Sequence, residues 1–193
     1  MRFGLTQSAA LVMIAGSVLF LVAAFLPISA RVYPRPPAER LEAITAAPVA
    51  WTTSLVLFGA GALVTALGVV LLALDAGGGL AGGLAWAAAL VLLAGIVPWA
   101  IELVQRASDP AGFADGLLPR WTFPAYAVLT LAGIVLLGIV LLVGSYPAWA
   151  GWVVLGWVGA LIVLVLAIAD LPPFLFYVAT VFIGVVLLVP GRE

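Results

Sequence analysis

Six long apolar runs divide this chain, and they constrain its fold more than any other feature of the sequence. Each run has about enough residues to cross, as a helix, the roughly 30 Å hydrocarbon core of a bilayer. Apolar residues make up 66% of the 193 positions, only 8% are charged, and the mean hydropathy is +1.36. A soluble domain of this size has no core large enough to bury so much apolar surface. The six runs cover residues 5–28, 49–74, 80–103, 125–144, 148–169 and 174–189.

The lipid around these runs predicts their secondary structure. Backbone in contact with lipid has to satisfy its own hydrogen bonds, and a helix does this within a single segment. We therefore predict an all-α integral membrane protein, with residues 1–193 forming one transmembrane domain built as a six-transmembrane-helix bundle. The last run has only 16 residues, so a re-entrant segment is the alternative to a sixth span. The first run is longer than the apolar core of a signal peptide, which favours a retained helix.

A recurring glycine motif predicts how the helices are arranged. Gly68, Gly138 and Gly184 begin the three similar stretches GVVLL, GIVLL and GVVLL. The pattern predicts three tandem parallel helical hairpins, formed by the first and second, third and fourth, and fifth and sixth runs. Chance matches in a chain rich in Ala, Leu, Val and Gly are the alternative. In either case, a glycine in a lipid-embedded helix permits close backbone approach, so we predict that these three residues lie at helix contacts.

Missing residue types exclude several classes of function. The chain has no Cys and no His, and all seven of its basic residues are Arg. Thiolate and imidazole sites for metals or haem, thiol nucleophiles and Schiff-base chemistry at Lys are therefore excluded. The basic residues are also too few for a nucleic-acid interface. We predict no cofactor, no metal site, no catalytic residues and no nucleic-acid partner.

Two connections between the runs are long, at residues 29–48 and 106–124, and the alternation of spans places both on the same side of the membrane. Within the first, residues 37–47 predict a short helix along the membrane interface, with Pro at its start. The two loops carry both signs of charge, which suits a docking surface for a partner or a lipid headgroup; a solvated cap is the alternative. The charged residues of this predicted surface are Arg31, Arg35, Glu39, Arg40, Glu42, Asp109, Asp115 and Arg120.

An acidic and a basic residue lie near the end of the third run. Glu102 precedes Arg106 by four residues, so both lie on one helical face with the acid first, which is the favourable order. We predict an interfacial ion pair, and a proton-binding site is the alternative. Asp170, in the last connection, is interpreted as a turn residue. Six tryptophans lie near predicted helix ends, where indole rings are expected at headgroup depth: Trp51, Trp86, Trp99, Trp121, Trp149 and Trp152.

The distribution of arginine predicts the orientation of the chain. Five of the seven Arg residues lie in the two long loops, whereas Arg2 and Arg192 lie at the opposite face. By the positive-inside rule, the long loops face the cytoplasm and both termini face outward. The alternative has both termini inside, as is common for bundles with an even number of helices. We predict a multi-pass protein of the cell membrane, meaning an inner or plasma membrane.

Three classes of function are compatible with these features. The first is a non-catalytic component that packs against lipids, other membrane subunits or a second copy of itself, and it requires an exposed small-residue or aromatic face. The second is a carrier or channel for a small neutral or lipid-like solute, which requires Thr65, Thr130 and Thr180 to converge on one internal cavity. The third is a membrane enzyme, which requires carboxylates of the two long loops to meet in a cleft. We predict the first class, and hence no enzymatic activity.

Overall fold

A computed structural model of the chain describes residues 4–168 and 172–189. In these ranges every regular element is a helix, as expected for a backbone in contact with lipid. The predicted turn residue Asp170 lies outside the described residues, as do Arg2 and Arg192. The helices are α1 (Leu5–Phe25), α2 (Pro27–Val32), α3 (Pro37–Ala46), α4 (Pro48–Asp75), α5 (Gly79–Ser108), α6 (Pro110–Ala114), α7 (Thr122–Val143), α8 (Ala148–Ile168) and α9 (Phe174–Leu188).

Five of these helices are long and apolar enough to cross a membrane, namely α1, α4, α5, α7 and α8. The helix α9 is also apolar but has 15 residues. At the helical rise per residue this corresponds to about 22 Å, which is less than the hydrocarbon core of roughly 30 Å. The chain is therefore a membrane protein with five candidate spans among its described residues, and a sixth span through α9 remains a prediction.

The first helix ends before the first apolar run does. Leu26 has an extended conformation, with ψ of 145°, and Pro27 begins α2. A proline disfavours the helical conformation in the residue before it, which explains the break. The hydroxyl of Ser29 donates to the carbonyl oxygen of Ala23 (2.7 Å), so an acceptor released by the break is satisfied.

The helix α5 extends past the third apolar run, which ends at residue 103. It continues to Ser108 because its final turns are polar but still helical. Glu102 and Arg106 consequently lie inside a regular helix rather than at the start of a loop. Hydropathy alone places this boundary too early, since it measures apolar character and not helix continuity.

The long helices pack in an order that follows the chain only in part. The most extensive contact joins α1 to α4, followed by the contact of α5 with α7. The helix α9 packs mainly against α1, and α8 packs mainly against α7, with little contact between α8 and α9. The pair α1 and α4 and the pair α5 and α7 have the close contact expected of the first two hairpins. The arrangement of all six runs as three parallel hairpins remains a prediction.

Glycines bring the backbones of α1 and α4 into direct contact. A Cβ atom added to Gly16 would lie 2.3 Å from the backbone nitrogen of Thr65, and one added to Gly61 would lie 2.6 Å from the backbone nitrogen of Phe20. A Cβ atom at Gly68 would lie 2.7 Å from the backbone nitrogen of Met13. All three distances are shorter than van der Waals contact, so α1 and α4 approach each other only because these side chains are absent.

The other two glycines of the recurring motif also face neighbouring helices. A Cβ atom at Gly138 would lie 3.1 Å from a methyl carbon of Val154 on α8. One at Gly184 would lie 2.6 Å from the side chain of Ile14 and 3.1 Å from the carbonyl oxygen of Ala10, both on α1. The motif thus occurs at three separate helix contacts, whatever its evolutionary origin.

Replacing a contact glycine by alanine should destabilise the bundle, whereas the same change on an exposed face should not. We expect Gly61→Ala to lower the free energy of unfolding by about 1–3 kcal/mol, because its Cβ atom meets backbone that cannot move aside. Gly156→Ala is the matched control, since Gly156 is also helical but has nothing within 4 Å of an added Cβ atom. Thermal or SDS-induced unfolding in detergent micelles measures both variants. Equal stability of the two would contradict the proposed packing role.

Candidate functional site

The two long connections fold together at one end of the bundle, which we call the loop face. It comprises α2, α3 and α6, and α3 contacts both of the others. Arg40 joins these elements through its guanidinium, which donates to the carbonyl oxygens of Val32 (3.3 Å), Arg35 (3.2 Å) and Ala114 (3.4 Å). The same guanidinium lies 5.4 Å from the ring centroid of Phe113. The side chain of Arg40 therefore links the two long loops to each other.

Most charged residues of the predicted docking surface are exposed, and three of them make local contacts. Arg35 and Glu39 form an ion pair at 3.0 Å, with about half of each side chain exposed. Asp109 caps α6 by accepting a hydrogen bond from the amide of Gly112 (2.8 Å). In the described part of the chain, no group of three or more Asp, Glu, His or Cys residues is placed to hold a metal ion. The remaining members of the surface are exposed: Arg31, Glu42, Asp115 and Arg120.

Glu102 and Arg106 form an ion pair that is buried in the protein. Nε of Arg106 donates to Oε1 of Glu102 (2.9 Å), and Nη2 lies 2.8 Å from the same oxygen. The two residues are only 6% and 8% exposed. The hydroxyl of Thr122, at the start of α7, donates to the other carboxylate oxygen. Nη1 of Arg106 donates to the hydroxyl oxygen of Tyr33 (3.0 Å), which follows α2.

Aromatic rings surround the guanidinium of Arg106. Its central carbon lies 4.9 Å from the ring centroid of Phe113, 5.6 Å from that of Trp99 and 5.7 Å from that of Tyr33. The indole of Trp51 donates to the carbonyl oxygen of Arg106 (3.3 Å). Cation–π contacts and the carboxylate together compensate for the loss of water around the charge. Arg106 therefore organises four aromatic residues as well as one acid.

The phenol of Tyr33 keeps its proton over a wide pH range. Although 38% of the surface of Tyr33 is exposed, partial desolvation of its hydroxyl raises the pKa of Tyr33, and the charge and hydrogen bond of Arg106 offset this only in part. Because the pKa lies above its ordinary value of 10.0, the hydroxyl is protonated at neutral pH. It accepts from Arg106 and remains able to donate its own hydrogen.

A cavity of about 570 Å³ opens beside this ion pair, between the loop face and the start of α9. We call it the loop-face cavity. Its volume lies within the range of roughly 300–1,000 Å³ that is typical of small-molecule sites. Its polar lining consists of Ser29, Tyr33 and Arg106. Its other lining residues are apolar: Ala24, Phe25, Ala30, Pro34, Phe58, Trp99, Phe123, Pro172, Pro173 and Phe174.

A layer of stacked aromatic rings lies next to this cavity, toward the centre of the bundle. The ring of Phe20 stacks on Tyr177 with 3.7 Å between centroids, and Trp99 stacks on Tyr126 at 4.4 Å. Phe20 also contacts Phe58 edge to face at 4.7 Å. Phe58 and Trp99 line the cavity as well, so this layer separates it from the interior of the bundle.

A second, much smaller cavity lies in the interior beyond the aromatic layer. Its volume is about 20 Å³, which is enough for one water molecule. Thr65, Thr130 and Thr180, from α4, α7 and α9, all line it together with Tyr126 and Tyr177. The three threonines therefore converge on one internal cavity, which is the arrangement that a carrier requires.

Buried hydroxyl groups next to this interior cavity bond to one another. The hydroxyl oxygens of Ser17 and Thr180 are 2.7 Å apart, and those of Ser17 and Thr65 are 3.4 Å apart. The hydroxyls of Tyr126 and Tyr177 are 2.8 Å apart. Since each hydroxyl has a protein partner, the network ties α1, α4, α7 and α9 together at this level.

A third cavity, of about 680 Å³, lies at the opposite face near the ends of the described ranges. Asp75 is its charged lining residue and accepts a hydrogen bond from Thr6. Burial and the nearby charge of Asp75 raise the pKa of Tyr146, which also lines this cavity. Among the residues that the structure describes, this cavity has no counterpart of the buried ion pair, so we regard the loop-face cavity as the candidate site.

Two tryptophans of the site were expected at headgroup depth but are buried inside the protein. Trp51 is 2% exposed and Trp99 is 1% exposed. The spacing offers a signal for Trp99, which precedes Glu102 by three residues and Arg106 by seven. These three residues fall on one face of α5, so the acid, the base and the indole form a stripe. The sequence around Phe58 and Ser17 offers no comparable spacing that would mark them as functional residues, because the neighbouring residues of their apolar helices are of similar character.

Removing one member of the buried pair should cost more than removing both charges. We expect Glu102→Gln or Arg106→Met to lower the free energy of unfolding by about 3–5 kcal/mol, because each leaves an uncompensated buried charge. The double variant should lose clearly less than the sum of the two. Glu39→Gln in the exposed pair is the control, with an expected loss below about 1 kcal/mol. Additive losses measured by denaturation in detergent would contradict a coupled buried pair.

Comparisons of this chain with protein-family models, with curated proteins and with solved structures gave no match. No function is carried over from a relative, and the residues of the loop-face cavity are the basis for a functional conclusion.

Proposed function

We propose that this protein is a non-catalytic membrane component that binds one lipid-like molecule in the loop-face cavity. The observation that carries this proposal is the composition of the cavity wall. Arg106 and Tyr33 supply polar contacts at one part of the wall, while aromatic and aliphatic side chains supply the rest. An amphiphilic molecule matches such a site, because it has both a polar group and an apolar body.

The location of the cavity also favours a membrane ligand. Its rim includes Phe25 at the end of α1, which is 71% exposed, and Phe174 at the start of α9, with 5.5 Å between the two ring centroids. Both residues belong to apolar helices that contact lipid. A molecule from the bilayer can thus approach along apolar surface before its polar group meets Arg106.

An exposed helix face supports the role of a component in a larger assembly. The helix α8 packs mainly against α7, and its outer surface includes the small residues Gly156, Gly159 and Ala160. Trp149 and Trp152 on the same helix are 56% and 66% exposed. Small residues on a lipid-facing helix permit close approach of a second helix, which is the kind of face that the component class requires.

The contacts of three carboxylates, two in the long loops and one in α5, favour a non-catalytic role. Glu39 is engaged by Arg35, Asp109 caps α6, and Glu102 is paired with Arg106. General acid–base catalysis requires a titratable group within hydrogen-bond reach of a substrate. These three carboxylates instead stabilise a helix, a helix terminus and a buried cation.

Filling the loop-face cavity should abolish retention of its ligand. We expect native mass spectrometry of the gently purified wild-type protein to show one bound amphiphile per chain. Ala30→Trp should lose that adduct, because Ala30 lines the cavity and the added indole occupies it. Ala38→Trp is the matched control, since Ala38 is exposed on α3 and is not part of the lining.

Two results would contradict this proposal. One is a wild-type protein that elutes without any amphiphile under conditions that preserve other membrane lipids on control proteins. The other is equal retention by wild type, Ala30→Trp and Ala38→Trp, which would place the bound molecule outside the cavity. Stoichiometric membrane partners found with a retained amphiphile would support the component role.

A carrier for a small neutral solute is the second candidate, and the convergence of Thr65, Thr130 and Thr180 on one cavity favours it. Against it, that cavity holds about 20 Å³ and the aromatic layer separates it from the loop-face cavity. Transport would require Phe20 and Trp99 to move away from their stacking partners. We therefore place this function second.

Solute flux distinguishes the two candidates. We expect vesicles containing the protein to release glycerol, followed by light scattering after an osmotic shock, at the rate of protein-free vesicles. The closed aromatic layer is the reason for this expectation. Vesicles reconstituted at the same density with an unrelated helical membrane protein serve as a control for leakiness. Release that is severalfold faster with wild-type protein would favour the carrier.

A further inference from the structure

We infer that the loop-face cavity recognises a carbonyl oxygen, so that its ligand is an amphiphile with a carbonyl group at the polar end of an apolar body. This inference rests on the proposed function and adds the chemical class of the ligand. Two membrane molecules share this chemistry, namely an ester lipid and an isoprenoid quinone. The juxtaposition that carries it is a pair of hydrogen-bond donors, Arg106 and Tyr33, in an aromatic wall.

Arg106 has donor capacity that the described residues do not use. A guanidinium carries five N–H groups. The contacts with Glu102 use Nε–H and one N–H of Nη2, and the contact with Tyr33 uses one N–H of Nη1. The other two N–H groups have no hydrogen-bond acceptor among residues 4–168 and 172–189. Since Arg106 lines the cavity, a ligand oxygen there can accept from it.

Tyr33 supplies a second donor at the same place. Its hydroxyl oxygen accepts from Arg106 (3.0 Å), and its own hydrogen has no acceptor within the described part of the chain. Partial desolvation raises the pKa of this phenol, so the hydrogen is present at neutral pH. The Ser29 hydroxyl, by contrast, already donates to the carbonyl oxygen of Ala23. A carbonyl oxygen with two lone pairs can accept from both Arg106 and Tyr33.

The pairing of Arg106 favours a neutral acceptor over an anion inside the cavity. Glu102 already neutralises the guanidinium, and its carboxylate lies in contact with Nε and Nη2. A phosphate or carboxylate at the remaining N–H groups would be brought close to that negative charge and stripped of water. A carbonyl oxygen accepts the same hydrogen bonds without either cost.

The aromatic wall suits the part of the ligand next to the carbonyl. Phe58, Trp99 and Phe123 all line the cavity. Phe58 and Trp99 are only 2% and 1% exposed, whereas Phe123 is half-buried and offers aromatic surface that packs against a flat ring or a hydrocarbon chain. The open rim at Phe25 leaves room for the remainder of the molecule to extend into lipid. A quinone ring fits the wall as a flat body, and an acyl ester fits it as a chain.

Matched probes test this inference on the full-length protein. Delipidated protein in detergent receives equal concentrations of a monoacylglycerol, an alkylglycerol ether of the same chain length and an alkyl phosphate, and native mass spectrometry compares the bound fractions. We expect the bound fraction of the ester to exceed that of the ether about tenfold or more. The reason is that the ether has no carbonyl oxygen to accept a hydrogen bond from the charged guanidinium of Arg106. The alkyl phosphate should also bind less than the ester.

A conservative variant connects the preference to the cavity. Tyr33→Phe removes the neutral donor and leaves the pair of Arg106 and Glu102 intact, so the preference for ester over ether should fall by a factor of about three or more and not disappear. Tyr146→Phe is the matched control, because Tyr146 lines the cavity at the opposite face. A second competition, between the monoacylglycerol and a short-chain quinone, identifies which source of the carbonyl group binds more tightly.

Each outcome has a separate meaning. Equal binding of ester and ether, or preferred binding of the alkyl phosphate, would overturn the carbonyl inference while the proposed function stands. An ester preference that is unchanged in Tyr33→Phe would also overturn it, since other residues would then bind the carbonyl group. Absence of all three probes from the wild-type protein would overturn the proposed function itself.

Discussion

The ion pair between Arg106 and Glu102 is the interaction on which the loop-face half of the molecule depends. A cation withdrawn from water requires compensation from its surroundings, and here the compensation comes from several elements. Glu102 belongs to the same helix, Tyr33 follows α2, and Phe113 lies in α6. Each contact that stabilises the charge also fixes the element that provides it. The cap and the cavity are therefore organised around one guanidinium.

The bundle itself is stabilised by a different kind of contact. Lipid is as apolar as the helices, so burial from water does not drive one helix against another within the membrane. The contact of α1 with α4 uses close backbone approach at Gly16 and Gly61. Hydrogen bonds among the hydroxyls of Ser17, Thr65 and Thr180 add directional contacts at the same level. Short distances and buried hydroxyls thus replace the apolar driving force of a soluble core.

The candidate site lies where the loop face meets the long apolar helices of the bundle. Phe58 and Trp99 belong to long apolar helices, yet they line a cavity whose polar groups come from the loop face. The aromatic layer around Phe20 closes the interior below it. A ligand held there would have its polar group near the cap and its apolar body near lipid. This arrangement is the physical reason for preferring an amphiphile over a soluble metabolite.

The sequence by itself determined membrane residence, helical structure, the exclusion of thiol and imidazole chemistry, and the four-residue spacing of Glu102 and Arg106. These properties depend on composition and on neighbours along one helix. Only the tertiary structure decided that this pair is buried, that Trp99 lies against it, and that Thr65, Thr130 and Thr180 share a cavity. The physical reason is that a helix apolar on every side satisfies lipid and protein equally well, so its pattern does not specify which face meets a neighbour.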